Sequence, residues 1–339
     1  EFSAQGNRRR PTINDVAKAC GVSKATVSKA LSPQRGRPQM TESTRQRIVQ
    51  KAQELGYRPS WRARALAHGR SMSVGLLHRE RSAECLGLNQ AFLRSLLDVL
   101  GEQDYQLVLL PADRALERIE ETVRDERIDG CMSMIDLPPE TAEALVDARS
   151  PVVMVNRITP HPLPQVLADR SRAMREAVQH LVGLGHRRIA LVDGETNAGS
   201  PHYDRRKAFT EAVEQTDLGE GATIHEGEIG PLVDRIVSGE AAPTGLVCAG
   251  GRRAAELLQH LHQRDVRVPD DLSLILVGGH LPADVLVPAL TAVETPWEDM
   301  GRKAGELLLQ WVESESPPRD QRLILDAVLI ERASTAPPS

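Results

Sequence analysis

Apolar residues recur about one helical turn apart in two short segments near the N-terminus, and a glycine separates the segments. Residues 15–19 are good helix formers, and Gly21 stands where a chain that leaves a helix through a left-handed conformation has to lack a Cβ atom. Ser23 can then cap a second helix with its side-chain oxygen. The apolar residues of that second helix share one face: Val27, Ala30 and Leu31. The pattern predicts a helix-turn-helix over residues 12–32.

The opposite face of the second helix is polar or small and carries Lys24, Ala25, Ser28 and Lys29. Such a helix pair binds DNA when its second helix enters the major groove. Small Ala17 lets the two helices cross closely, as the motif requires. The same pattern also suits a purely structural hairpin, so the pattern by itself leaves both interpretations open.

A third amphipathic segment follows a loop, residues 33–40, that is rich in proline, glycine and arginine. Thr41 has the chemistry of a helix N-cap, and Gly56 can end the helix. Four apolar residues form a stripe that can close a small core over the first two helices: Ile48, Val49, Ala52 and Leu55. After Pro59, residues 60–67 predict a helix of about two turns, which is too short to be stable without a partner.

From residue 73 onward, short apolar runs alternate with amphipathic stretches. The apolar runs predict strands at residues 74–77, 107–110, 130–134, 152–155, 189–192, 245–248 and 274–277. The amphipathic stretches predict helices that include residues 91–100, 173–184, 203–214 and 253–262. This alternation implies parallel sheets covered by helices on both faces. Ligands of such sheets collect at the carboxyl ends of the strands. We therefore predict a small all-α head followed by an α/β core.

Charge is distributed unevenly along the 339 residues. Up to Arg70 the chain has 15 Lys and Arg residues against four Asp and Glu residues, a net charge of +11. The rest has 27 basic and 43 acidic residues, a net charge of −16. Positive charge concentrated in one small segment indicates phosphate neutralisation. The charge therefore favours DNA binding over the structural interpretation of the helix pair.

Composition is that of an ordinary globular protein of two or three domains, with 40% apolar and 26% charged residues. No apolar run is long enough to span a membrane, and the N-terminus shows no signal segment, so we expect a cytoplasmic protein. The cysteines are far apart and lie in apolar or helical contexts, which favours reduced core thiols over disulfides or a zinc site. They are Cys20, Cys85, Cys131 and Cys248.

Motifs of the common enzyme classes are missing from the sequence. No Gly-x-Gly-x-x-Gly opens a helix after a strand, and no Gly-x-x-x-x-Gly-Lys-Ser/Thr is present. His260 and His262 are two residues apart and so do not share a helix face, and neither His-Glu-x-x-His nor Gly-x-Ser-x-Gly occurs. We expect no catalytic activity, no cofactor and no metal.

In its motifs the sequence resembles the lactose and galactose repressor (LacI/GalR) family of transcription regulators over nearly the whole chain. The matching segments are residues 12–32 (helix-turn-helix), 44–45 and 55–59 (third helix and exit), 62–67 (hinge helix), and 180–181, 184–190, 268–271, 288–291 and 300–301 (core). The resemblance implies a type I periplasmic-binding-protein-like core of two Rossmann-like lobes, joined by three crossovers, with a small effector in the cleft. It also implies sequence-specific DNA binding, most often repression.

The resemblance assigns roles to residues of the head and the hinge. In or beside the major groove would lie Ser23, Lys24, Ala25, Thr26, Ser28 and Lys29. Lys24 can donate to guanine acceptors or contact phosphate alone, and Ala25 can meet a thymine methyl group. The implied contacts to the DNA backbone are Thr12, Thr44 and Tyr57. In the hinge, Ala63, Arg64 and Leu66 match positions that enter the minor groove, with core packing as the alternative for Leu66.

A two-fold dimer on a pseudo-palindromic operator follows from this arrangement, because each hinge helix gains a partner in its twin. The tail has no heptads, so we expect no tetramerising helix. The domains implied are a DNA-binding domain (8–59), a hinge helix and linker (60–72), an effector-binding and dimerisation core (73–332) and a tail (333–339). Within the core, the N-lobe takes about 73–167 plus 296–322, and the C-lobe about 168–295 plus 323–332.

Arg205 matches the arginine that holds the effector in many family members, with a solvated arginine at a helix start as the alternative. The chain departs from the sugar-binding pattern where the family commonly has acidic or amide side chains: Asn156, Gly250, Gly251, Gly278 and Gly279. These changes remove acceptors for the hydroxyls of a neutral sugar. Arginines occur in the same region: Arg79, Arg81, Arg157, Arg205 and Arg252. We therefore expect an anionic effector, such as a sugar acid or sugar phosphate, held by arginines and by backbone donors near Gly250 and Gly278.

Other interpretations stay open at this point. The cleft could be degenerate, with regulation by a partner protein or by expression level, and the effector could either release DNA or promote its binding. A general nucleoid-binding protein would also suit the basic head, although it would not need a large acidic core.

Overall fold

The computed structural model describes residues 11–31, 40–57, 70–78, 90–193, 205–239, 242–278, 283–314, 318 and 322–338. These residues form two compact units, with the boundary between Ser71 and Met72.

The first unit contains the three predicted helices: α1 (Ile13–Cys20), α2 (Lys24–Leu31) and α3 (Glu42–Glu54). Gly21 has a left-handed φ of 65° and ends α1, as its position predicts. The small core consists of Val16, Ala17, Val27, Ala30, Ile48 and Ala52. Leu55 was expected in this core but is exposed, because it is the C-cap residue of α3 and the helical stripe ends before it.

The second unit contains two sheets of six strands each. The first sheet has β1 (Ser73–His78), β2 (Gln106–Pro111), β3 (Gly130–Ser133), β4 (Val152–Val155), β5 (Gln165–Ala168) and β11 (Arg322–Leu325). The second sheet has β6 (Ile189–Val192), β7 (Ala222–His225), β8 (Gly245–Ala249), β9 (Ser273–Val277), β10 (Thr291–Glu294) and β12 (Val328–Ile330).

The helices of this unit fall between the strands. They are α4 (Gln90–Glu102), α5 (Ala112–Ala115), α6 (Ile119–Arg124), α7 (Pro139–Asp147), α8 (Arg170–Gly183), α9 (Arg205–Glu214), α10 (Ile229–Ser238), α11 (Gly251–His262) and α12 (Trp297–Glu313). Short 3-10 turns lie at Leu116–Arg118, Gly219–Gly221 and Ala283–Val285.

The strand order is β11-β5-β4-β3-β1-β2 in the first sheet and β12-β10-β9-β8-β6-β7 in the second. All neighbouring strands are parallel except β10 and β12, which pair antiparallel. Each sheet has a buried apolar cluster on either face, so each is the centre of a three-layered lobe. The predicted pair of Rossmann-like lobes is confirmed.

The chain passes between the lobes three times. The passages follow β5, β10 and β11, which lead into α8, α12 and β12 respectively. Three passages are what the resemblance implies, but one predicted boundary between the lobes differs from the structure. Leu323–Leu325 pair with Val166–Ala168 in the first sheet. The last passage therefore lies at 326–327, and residues 323–325 belong to the N-lobe rather than the C-lobe.

The tail was expected to lie outside the core, and this expectation was wrong for the tail residues that the structure describes. Ser334 is buried, its carbonyl accepts from the Leu274 amide (2.8 Å), and its Oγ accepts from the Thr291 amide (2.8 Å). The Ala336 carbonyl accepts from Nε2 of His186 (2.9 Å). Small hydroxyl side chains let this segment lie against the ends of β9 and β10, and it completes the C-lobe.

The buried His186 and the half-buried His180 hold the tail and make its packing sensitive to pH. Nε2 of His180 lies 3.0 Å from Oγ1 of Thr335 in the tail. Burial lowers the pKa of both His186 and His180 below the ordinary value of 6.5. The unfolded chain therefore binds these protons at a higher pH than the folded chain does. Stability is complete above about pH 6.5 and is lost as the pH falls from there toward the folded-state pKa values.

We expect His186→Gln to flatten the fall in the free energy of unfolding between about pH 7.5 and about pH 5.5, because one of the two protonation sites is gone. Urea unfolding at each pH measures the effect. The exposed His262→Gln variant is the control and should keep the wild-type slope. Identical slopes for His186→Gln and wild type would contradict the assignment.

Candidate functional sites

The outward face of α2 presents the side chains that the sequence assigns to the major groove. Lys24, Ala25, Ser28 and Lys29 are all exposed, whereas Val27 on the inner face is fully buried. The remaining two predicted groove residues shape the start of the helix: Oγ of Ser23 accepts from the Thr26 amide (3.1 Å), and the two hydroxyls are 2.9 Å apart. The face is thus held in position by a capped helix on a packed core.

The predicted backbone contacts have structural roles as well. Thr12 caps α1, with its amide and hydroxyl both 2.7 Å from Oδ2 of Asp15. Thr44 lies in the first turn of α3, where its amide donates to Oγ1 of Thr41 (3.4 Å). Tyr57 packs half-buried against the head core, and burial raises its pKa. Each of these side chains therefore also stabilises a helix start or packs against the core of the head.

One contact of the head was not anticipated from the sequence. Nε of Arg45 in α3 donates to the carbonyl of Ala30 in the last turn of α2 (3.4 Å). The contact satisfies a carbonyl that a helix end leaves unpaired and ties α3 to α2. The predicted hinge residues Ala63, Arg64 and Leu66 lie outside the described residues.

In the core, several predicted effector residues follow the carboxyl ends of strands. Asn156 follows β4 with a left-handed φ of 54°, Gly250 follows β8 and Gly278 follows β9. Their amides continue the sheets, since Gly250 donates to Val277 (3.3 Å) and Gly278 to Val293 (3.0 Å). Parallel strands end at the same edge of a sheet, so these residues line the edges where ligands of this fold class bind.

Asn156 lies where the two lobes meet. Its carbonyl accepts from Arg157 (3.2 Å) and from Arg170, the first residue of α8 in the C-lobe (2.7 Å). Its Oδ1 is buried and has no hydrogen-bond partner among the described residues. The side-chain amide is therefore available to a ligand at the border between the lobes.

Arg205, the first residue of α9, pairs with a carboxylate that the sequence analysis did not identify. Its Nη1 lies 3.1 Å from Oδ1 of Asp193, which follows β6 and is only 1% exposed. Oδ2 of Asp193 is buried with no hydrogen-bond partner among the described residues. The available signal was a charged residue directly after an apolar strand, at the ligand-binding edge.

Of the other predicted arginines, one faces a carboxylate, one is exposed, and two lie outside the described residues. Nε of Arg157 lies 3.9 Å from Asp136. Arg252 is exposed on α11, and its neighbour Arg253 is the one that turns inward, where it contacts the Gly227 carbonyl and Glu256 (3.5 Å). The predicted Arg79 and Arg81, like Gly279, fall outside the described residues.

The thiol of Cys248, at the end of β8, lies among these charged groups. Burial raises its pKa to about 12. The positive charges of Arg253 and Arg205 oppose this effect, and the negative charge of Asp193 reinforces it. Burial likewise raises the pKa of Cys131 to about 12. Both are protonated core thiols, and Cys20 is a half-buried free cysteine; Cys85 lies outside the described residues.

Comparison with known proteins assigns the two units separately. Residues 12–60 match the family described as bacterial regulatory proteins, lacI family, and residues 178–335 match the periplasmic binding protein-like domain. The chain therefore has the DNA-binding domain of the lacI family of bacterial regulatory proteins and a periplasmic binding protein-like domain. With this domain, and with relatives that are transcription regulators, it is a DNA-binding regulator and not an enzyme.

The matches to known relatives cover almost the whole chain. Catabolite control protein A of Priestia megaterium is 27% identical over 318 residues (90% of this chain, 93% of that protein). The ribose operon repressor of Halalkalibacterium halodurans is 28% identical over 331 residues (96% and 97%). The crystal structure of the lac repressor dimer bound to operator and the anti-inducer ONPF superposes with a TM-score of 0.77 at 20% identity (97% and 100%) and shows the shared fold.

Within the described residues, no helix is both long and apolar enough to cross a membrane.

Proposed function

We propose that the protein is a transcriptional repressor that binds a pseudo-palindromic operator as a homodimer in the cytoplasm and is controlled by a small metabolite bound between the core lobes. The observation that carries this proposal is the exposed face of α2, where Lys24, Ala25, Ser28 and Lys29 lie side by side on a head with a net charge of +11. Lysine and serine on one helix face can reach base edges and phosphates together.

A second copy of the chain is the partner that the N-lobe surface suits. Leu97 on α4 is 50% exposed and Leu109 on the edge strand β2 is 49% exposed, although both residues are large and apolar. Exposed apolar side chains on adjoining elements are typical of protein interfaces. A two-fold dimer would present two α2 helices to two half-sites, which a single head cannot do. The lac repressor is such a dimer on its operator.

The effector site of this proposal lies at the carboxyl edges of the two sheets. Asn156 on the N-lobe side and Asp193, Arg205, Gly250 and Gly278 on the C-lobe side are its expected contacts. Glycines after β8 and β9 leave backbone close to a ligand without a side chain in between. A relative that is named a ribose operon repressor supports a small metabolite as the ligand class.

Footprinting of the full chain on DNA selected from a random pool tests the DNA-binding part. We expect protection of one short pseudo-palindrome with two half-sites about one helical turn apart. Broad protection without a defined sequence would contradict the proposal and favour an architectural role.

A thermal-shift screen with sugars, sugar acids, sugar phosphates and nucleobases tests the effector part, since a ligand at 100 times its Kd stabilises the fold by about 2.7 kcal/mol. If none of these compounds stabilises the protein, regulation by a protein partner is favoured.

A further inference from the structure

The positive charge of Arg205 is already matched within the protein. Its guanidinium lies 3.1 Å from the buried carboxylate of Asp193. Two more arginines near this region also face carboxylates, because Arg157 faces Asp136 (3.9 Å) and Arg253 faces Glu256 (3.5 Å). The arginine count that suggested an anionic effector took no account of these carboxylates.

An anionic ligand at Arg205 would also meet the negative charge of Asp193, which is 1% exposed although the Arg205 side chain is 38% exposed. Like charges a few ångströms apart repel, and the repulsion offsets part of what the arginine contributes. A ligand hydroxyl would meet a different situation, because it can donate to Oδ2 of Asp193 and accept from Arg205. Oδ2 is buried without a partner among the described residues, so a donor there removes the cost of an unsatisfied buried acceptor.

We propose that Asp193 is a specificity-determining residue of the effector site. It converts Arg205 from an anion receptor into one half of a donor and acceptor pair, and it selects an uncharged, hydroxyl-bearing ligand against sugar acids and sugar phosphates. Oδ1 of Asn156, the second buried acceptor without a partner among the described residues, favours the same ligand chemistry. This inference rests on the proposed effector site and replaces the expectation of an anionic ligand.

Titration of the full chain with inorganic phosphate tests the role of Asp193 without knowledge of the natural effector. Calorimetry at constant ionic strength should show no saturable phosphate binding to wild type. In Asp193→Asn the guanidinium loses its counter-charge, and we expect saturable phosphate binding at least about tenfold tighter than the weakest affinity that the wild-type titration could have detected. The double variant Asp193→Asn, Arg205→Gln should lose this gain.

The matched control is Asp234→Asn. Asp234 on α10 pairs with Arg264, two residues after the end of α11 (2.8 Å), and its substitution changes the net charge by the same amount at a surface ion pair. The control should bind phosphate no better than wild type. Saturable phosphate binding to wild type that Arg205→Gln abolishes would overturn the proposal, and so would an Asp193→Asn variant that gains nothing.

A thermal-shift comparison of paired ligands gives a second measurement that depends on no variant: glucose with gluconate, galactose with galacturonate, and ribose with ribose 5-phosphate. Any stabilisation of wild type should come from the uncharged member of a pair, and stabilisation by the acid or phosphate alone would overturn the proposal. Footprinting of the same preparations separates this outcome from failure of the proposed function. Intact sequence-specific footprints with an anion-selective site would contradict only the role of Asp193.

Discussion

Replacing Lys24 with alanine is expected to weaken operator binding by about thirtyfold or more while the head stays folded. Lys24 is exposed on α2 and contributes nothing to the buried core of the head. A good contact to a base edge contributes about 1–3 kcal/mol, and a two-fold dimer makes it twice, so the loss is about 2–6 kcal/mol. Fluorescence anisotropy with the selected operator measures the change, and circular dichroism of the same sample checks that the helices are intact.

Lys51→Ala is the matched control, because it removes the same charge from the same head. Lys51 is exposed on α3 and pairs with Glu54 (2.5 Å). We expect its operator affinity to stay within about threefold of wild type, as for an exposed ion pair away from the interface. Equal losses for Lys24→Ala and Lys51→Ala would show that only the overall charge of the head matters.

The salt dependence then distinguishes the two possible roles of Lys24. If Lys24 reads a base, its loss relaxes preference at one position of each half-site. If it contacts phosphate, its loss weakens binding about equally on all sequences and lowers the slope of log affinity against log salt. Either result places Lys24 at the interface.

Strands that are runs of apolar residues could be predicted from the sequence, and those that are very short or contain polar residues could not, even where they are buried, as β5 is. Residues 152–155 are four consecutive apolar residues in a central strand, and their pattern is unambiguous. β11 and β12 alternate between exposed and half-buried positions over three or four residues, which is too short for a pattern to stand out. Their place is decided by pairing with β5 and β10, far away in the sequence.

The positions of the proposed effector residues were predictable from fold class, but their electrostatics were not. Asn156, Gly250 and Gly278 all follow strands, which the alternation of apolar runs already implied. The pairing of Asp193 with Arg205 depends on a strand end and a helix start that are twelve residues apart in the chain and adjacent in space. The packing of the tail could not be predicted for the same reason, because Oγ of Ser334 donates to the carbonyl of Leu274, 60 residues earlier in the chain.

Gly301→Ala is expected to destabilise the core by about 3 kcal/mol and to lower its Tm by about 6–12 °C. Gly301 lies in α12 where that helix packs against α4. A Cβ atom there would overlap the carbonyl oxygen of Phe92 and Oγ of Ser95, which are hydrogen-bonded to each other (3.1 Å). The overlapping oxygen belongs to the backbone of a helix, so the two helices have to separate. Thermal unfolding followed by circular dichroism measures the loss.

Gly183→Ala is the control for the intrinsic effect of the substitution. Gly183 is also a helical glycine, in the last turn of α8, but no atom lies within 4 Å of the position of its Cβ. Alanine is the better helix former, so the variant should be as stable as wild type or more stable by up to about 1 kcal/mol. A Gly301→Ala protein that unfolds together with wild type would mean that α4 and α12 can move apart at little cost. Close packing of the N-lobe on these two helices predicts the opposite, because the ring of Phe92 is also held edge-on against Trp297 in the first turn of α12.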